Sequence, residues 1–173
     1  MTPFLLSSQS VLDIVKRLNL PAERWLEAAA SRGLYEDDIC ISAVVPMTVL
    51  HEIDTEIAVA RKKKSNTLAS LTKMRTNAQK FLAAFQQQDR IVSMDHRIAE
   101  RWGDLLDMEL TYADPYGAPY KVGSSEKVEL ATASIGRAGH GFVYVDRRQD
   151  AHQLVPGLVV ECPFEFVKAL GTP

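Results

Sequence analysis

The sequence is poor in the residues that mark several protein classes. It has two cysteines, Cys40 and Cys162. Both fall in apolar, strand-like runs, which suits small buried hydrophobes in a reducing compartment and speaks against a disulfide framework. No apolar run approaches the roughly 20 residues that cross a bilayer. The first residues lack the basic region and long apolar core of a secretion signal, so a cytoplasmic location with no membrane partner is expected. CxxC pairs, a glycine-rich phosphate loop and a nucleophile elbow are all missing. The four histidines, His51, His96, His140 and His152, show no metal-ligand spacing. His140 lies between two glycines and reads as a turn residue. There is no cationic excess either. Twenty Lys and Arg against 22 Asp and Glu leave a net charge of -2, so any nucleic-acid binding must come from a local patch.

What is present suits one globular domain spanning residues 1–173. The hydrophobic share is 46% and the charged share 24%, ordinary values for a folded soluble chain. Phe4-Leu5-Leu6 reads as a buried strand. A helix follows, capped by Ser8 or Ser10, with Val11, Leu12, Ile14, Val15 and Leu18 at helical spacing. Pro21 to Arg32 reads as a second helix, with Trp25, Leu26 and Ala29 inward, and Ile39 to Val45 as a second buried strand. Pro46 opens a third helix. Ser65 is placed to cap a long one reaching about Gln88, so residues 46–88 make a helical hairpin. Arg90-Ile91-Val92 is a short strand. Ser93 to Met108 is a helix with Ile98, Trp102, Leu105 and Leu106 inward. Tyr112 to Gly123, with Asp114-Pro115, Gly117 and Pro119, reads as a loop. Its tyrosines Tyr112, Tyr116 and Tyr120 could stack on bases, although loop tyrosines are common.

The stretch Ser124 to Pro163 organises the chain. It gives an amphipathic helix from Ser124 to about Ala138, a turn at Gly139-His140-Gly141, and a strand Phe142 to Val145 that is apolar on both faces. A charged corner, Asp146 to Asp150, and a further apolar run, Leu158-Val159-Val160, follow. A helix leading into such a strand implies a parallel α/β sheet. Ligands bind such sheets beyond the carboxyl ends of their strands. That puts Asp146, Arg147 and Asp150 at the functional edge, with Glu126 in the first turn of the preceding helix.

These residues resemble the C-terminal part of PIN-domain ribonucleases, the VapC-like toxins of toxin–antitoxin pairs. The matching features are Glu126, then Leu130-Ala131-Thr132-Ala133, the strand Phe142 to Val145 and the Asp146 to Asp150 corner. Pro156-Gly157-Leu158 with Cys162-Pro163-Phe164, and the segment Asp95 to Leu106, are similar to recurrent family segments. The resemblance implies a PIN-like α/β fold, a central, mostly parallel sheet flanked by helices. It also implies Mg²⁺- or Mn²⁺-dependent endoribonuclease chemistry on three or four carboxylates, an antitoxin partner, RNA as substrate and a homodimer.

Carried over position by position, the resemblance places Ser7 where the family has its first aspartate, and Thr48 where it has a glutamate. Glu52, one turn deeper on the same helix face, is a stand-in for the second acid. Glu126 is the third acid. The fourth is Asp146 in one register and Arg147 in another, and Asp150 matches a further acid. The implied catalytic set is thus Glu126, Asp146, Asp150 and Glu52, with Glu126 and Asp146 as metal ligands. Clustered carboxylates ionise together only beside a divalent cation, and a hydroxyl supplies no charge. With Ser7 and Thr48 in two positions, weak or no nuclease activity is expected, with action through RNA or protein binding. The alternative is an active endoribonuclease using the four acids. The bland readings are a helix-dipole acid for Glu126 and turn formers for Asp146 and Asp150. The one basic run, Arg61-Lys62-Lys63-Lys64, is a solvated loop or a phosphate-contacting patch.

Overall fold

The computed structural model describes residues 2–16, 20–31, 38–113, 119–137, 140–147, 155–163 and 165. The chain runs β1 (Phe4–Leu6), α1 (Ser8–Lys16), α2 (Leu20–Ser31), β2 (Ile39–Ser42), α3 (Val45–Lys62), α4 (Leu68–Gln87), β3 (Ile91–Val92), α5 (His96–Leu106), β4 (Thr111–Ala113), β5 (Pro119–Lys121), α6 (Ser124–Ile135), β6 (Val143–Val145) and β7 (Val159–Glu161). Five strands form one sheet in the order β3-β2-β1-β6-β7. Each of its neighbouring pairs is parallel. The architecture is therefore α/β, as the two-faced apolar strands imply.

Alternate residues of each strand leave on opposite faces, so a strand covered on both sides must be apolar throughout. Phe4, Leu6, Ile39, Ile41 and Val145 join one cluster with Val11, Trp25, Val49, Ile53 and Ala78 of α1 to α4. Leu5, Cys40, Val92 and Tyr144 join a second with Ile98, Leu105, Leu130 and Ala131 of α5 and α6. Helices thus cover both faces of the sheet. Among the described residues, no helix is long and apolar enough to cross a membrane. Both cysteines are buried and free.

Several boundaries differ from the sequence expectation. The second strand stops at Ser42, and α3 begins at Val45 with proline in its first turn. Thr67, not Ser65, is the N-cap of α4, because Ser65 instead shares a bond with the Thr67 hydroxyl (2.9 Å). Asp95 caps α5 by accepting from the Ile98 amide at 2.9 Å, so that helix starts later than Ser93. Leu106, expected inward, is 44% exposed in the last turn of α5. The segment from Tyr112 to Gly123 is not simply a loop. Its described ends pair as the antiparallel hairpin β4–β5, with Tyr112 and Tyr120 stacked across it at 6.5 Å.

Helix α6 ends at Gly136, short of Ala138. Gly136 has φ 69° and ψ -161°, a region that only glycine enters readily. Its amide donates to the Thr132 carbonyl at 2.8 Å, and the Arg137–His140 turn folds back over it. A β-carbon here would lie 1.7 Å from the His140 carbonyl oxygen. Gly136→Ala should destabilise the fold by more than the ~1–3 kcal/mol of backbone strain alone. Urea unfolding at constant m-value measures this, and an unchanged midpoint would contradict it.

Candidate functional site at the switch point of the sheet

The strand order reverses at β1, which has β2 on one side and β6 on the other. In open parallel sheets this is where clefts form. The two strand ends are stitched together directly. The Ser7 amide donates to the Val145 carbonyl at 3.1 Å, and the Ser10 hydroxyl donates to the same oxygen at 2.8 Å. The fully buried Ser7 hydroxyl accepts from the Ser10 amide at 3.0 Å. Ser7 is therefore the side chain that caps α1, rather than Ser8 or Ser10.

Beyond β1 lies a cleft of about 250 Å³, walled by Ser8 and Gln9 of α1, Thr48 and Glu52 of α3, Tyr120, and Gly123 to Glu126 with Glu129 at the start of α6. It brings together Thr48, Glu52 and Glu126. The Thr48 hydroxyl is turned onto its own helix, donating to the Val44 carbonyl at 3.0 Å. Glu52 is nearly half exposed and lies 3.2 Å from the Lys16 ammonium, which also holds Glu56 at 2.5 Å. Burial alone would lower the Lys16 pKa, but the bonds it donates to Glu56 and Glu52, with their charges, outweigh that and hold Lys16 above its ordinary value. Glu126 is half-buried in the first turn of α6.

Asp146 and Arg147, the described part of the charged corner after β6, are not among the residues that line this cleft. Asp146 is fully buried, and its amide donates to the Glu161 carbonyl at 3.2 Å. The Arg147 guanidinium lies 3.9 Å from Asp13, a buried acid that also accepts from Gln9 at 2.9 Å. Asp150 lies outside the described residues, as do Tyr116 and His152. Arg61 to Lys64 are all exposed, the first two in the last turn of α3 and the others in the turn that leads to α4.

Glu129 was not singled out by the sequence. It is only 2% exposed. One carboxylate oxygen accepts from the Ser8 hydroxyl. The other accepts from the Ser8 amide at 3.0 Å and from the Tyr144 hydroxyl at 2.9 Å. Burial pushes its pKa up, against the opposing pull of the bonds from Ser8 and Tyr144, and the Asp146 charge adds to the rise. The available signal was chemical. A glutamate set among Val128, Leu130 and Ala131 must find buried donors or carry a proton.

A Mg²⁺ or Mn²⁺ centre requires several carboxylate oxygens converging on one point. Among the described residues, no group of three or more His, Cys, Asp or Glu side chains is arranged to hold an ion. In the cleft, Glu52 is engaged by Lys16 and Glu129 by Ser8 and Tyr144. The described residues therefore do not fit such a centre.

No family model and no curated protein matches the chain. Solved structures do. A chain of the crystal structure of VapBC2 from Rickettsia felis, bound to a DNA fragment from their promoter, superposes with a TM-score of 0.56 at 14% identity. The match covers 92% of this chain and 97% of that one. A chain of DNA-bound VapBC from Salmonella typhimurium gives a TM-score of 0.55 at 16% identity, covering 94% and 99%. The fold is PIN-like. At these identities the likeness concerns the fold, and the roles of individual side chains rest on the geometry above.

A carboxyl whose pKa is higher in the folded than in the unfolded state stabilises the fold fully below its unfolded value. That contribution is lost as pH rises through the folded value. From about pH 4 upward, near the unfolded glutamate pKa, the wild type should lose stability relative to Glu129→Gln. The amide keeps the bonds: its nitrogen donates to the Ser8 hydroxyl, while its oxygen accepts from the Ser8 amide and Tyr144. Urea unfolding of both proteins from pH 4 to 8 tests this, and parallel pH profiles would contradict it.

Proposed function

We propose that the chain is a VapC-like protein of a toxin–antitoxin pair that acts by binding, with weak or no metal-dependent RNA cleavage. The observation that carries this reading is the state of the cleft beyond β1. Two positions where the resemblance puts acids hold Ser7 and Thr48, and both hydroxyls are bonded within the fold. Hydroxyls there neither draw in a divalent cation nor activate a water through one. A partner protein is the better supported ligand, because both solved neighbours are VapBC structures. RNA is the second, through the exposed run Arg61 to Lys64, whose charges suit phosphates. By the same resemblance we expect a homodimer.

A second reading keeps the nuclease, with Glu126, Asp146, Asp150 and Glu52 as its acids. The placement of Glu52 and Glu126 on one cleft favours it. The two readings separate in a cleavage assay on total and structured RNA with Mg²⁺ or Mn²⁺. We expect no cleavage above the level of Glu126→Ala, and no Mn²⁺ binding by isothermal titration. Specific cleavage that disappears in Glu126→Ala would overturn the binding reading. In the same preparation, reversing Lys62, Lys63 and Lys64 to glutamate should weaken RNA retention at least tenfold at low salt, while leaving the folded spectrum unchanged.

A further inference from the structure

A metal in an acidic cleft does two things besides chemistry. It neutralises clustered carboxylates, and it ties together segments that are distant in sequence. We propose that Glu129 does the second here: its carboxyl clasps α1, α6 and β6 from inside and, with donors on both of its oxygens, closes the inner corner of the cleft to divalent cations. This inference rests on the reading of the cleft as one that has lost its metal centre, and deepens it.

The geometry of the carboxyl carries the argument. Both of its oxygens are occupied from within the protein. Ser8, at the start of α1, contributes its hydroxyl to one and its amide to the other, across 121 positions of sequence. Tyr144, in the middle of β6, contributes its hydroxyl. The carboxyl therefore joins the N-terminus of α1 to α6 and to the strand beside β1. A cation coordinating Glu129 would sit roughly 2.0–2.6 Å from an oxygen, crowding the Ser8 and Tyr144 donors that already approach the same two atoms. Both residues are buried, so neither has room to move aside into solvent.

The groups around Glu129 also settle how its charge is handled. From α1 and β6 it meets neutral donors. Past the end of β6 it meets the like charge of Asp146. On its own helix Glu126, and from α3 Glu52, share the cleft wall. Lys16, the cation that pairs with Glu52, is shared with Glu56. Among the described residues the donors to the Glu129 carboxyl are neutral, and burial favours its protonated form. On the Ser8 side that proton can be donated to the hydroxyl oxygen, so the clasp survives protonation with its bonds reoriented.

The test uses the whole protein with glutamate carboxyl carbons labelled with ¹³C, and Mg²⁺ alone as the probe. Glu129→Gln, Glu126→Gln and Glu52→Gln assign the resonances. The Glu129 line is expected to titrate at higher pH than those of exposed glutamates, and to keep its chemical shift when millimolar Mg²⁺ is added. Glu129→Gln should melt within a few degrees of wild type at pH 5, with EDTA leaving both melting temperatures unchanged. A Glu129 line that shifts at least as early as Glu126 on adding Mg²⁺, or that titrates with the exposed glutamates, would overturn the clasp. A shift at Glu126 or Glu52 with Glu129 unmoved supports the clasp, and counts instead against the metal-free reading of the whole cleft. The two ideas therefore fail on different resonances.

Discussion

Burying a carboxyl group inside a helix–sheet interface is unfavourable unless its oxygens are satisfied or its charge is removed. Glu129 meets that constraint with 2% of its surface exposed. Its helix packs against the sheet beside the junction of β1 and β6, and its carboxyl reaches the first residue of α1 and the side chain of Tyr144. The position of α1 follows from this contact as much as from apolar packing. Ser8 donates twice to one carboxyl, which fixes both the place and the direction in which the helix leaves the sheet. The walls of the cleft from α1 and α6 are set by the same group.

The remaining polar groups at this edge follow one chemical pattern. Ser7, Ser8, Ser10, Ser42 and Thr132 are all buried. Ser7 and Ser10 bond to each other and to the end of β6. Ser42, at the end of β2, shares a bond with Thr132 at 3.1 Å, and Thr132 donates back to the Val128 carbonyl at 2.7 Å. Hydroxyls both donate and accept, so they can close such a network among themselves and with carbonyl oxygens, without a counterion. The hydroxyl part of this edge is neutral and self-satisfied. An edge built from ionised acids is neither, and holds together only with a cation between them.

The parallel sheet was legible in the sequence because strands covered on both faces cannot alternate. Phe4-Leu5-Leu6 and Ile39-Cys40-Ile41 say so without reference to anything distant. Helix stripes were legible for the same reason in α2, α3 and α4. The β4–β5 hairpin was not. Its strands are three residues long, and its stabilising contact is the Tyr112–Tyr120 stack across the pair, which no local pattern reveals. Glu129 was hidden differently. Every residue from Lys127 to Ala133 is buried, so α6 has no polar face against which a misplaced acid stands out. Lys127 is buried too, its ammonium capping the end of α5 through the Leu106 and Met108 carbonyls. A family resemblance aligned Glu126 by position. It could not indicate that the acid one turn later points inward, because that depends on Ser8 and Tyr144.

The two halves of the cleft differ in how firmly their acids are held. Glu52 is paired with Lys16 near the surface, with 46% of its side chain exposed. Such pairs are worth about 0–1 kcal/mol, so a divalent cation could compete with the lysine at little cost. Glu129 offers no such exchange. Freeing its oxygens would take an acceptor from buried donors, at about 1–3 kcal/mol for a group left unsatisfied, and would expose to a cation an acid whose charged form burial disfavours. Any cation affinity in this cleft therefore belongs to its outer half, at Glu52 and Glu126. Two carboxylates, one of them half exposed and paired with Lys16, fall short of the converging set that fixes an ion and its water for in-line attack. What is left is a polar recess between α1, α3 and α6, with acids at its mouth and neutral hydroxyls behind them.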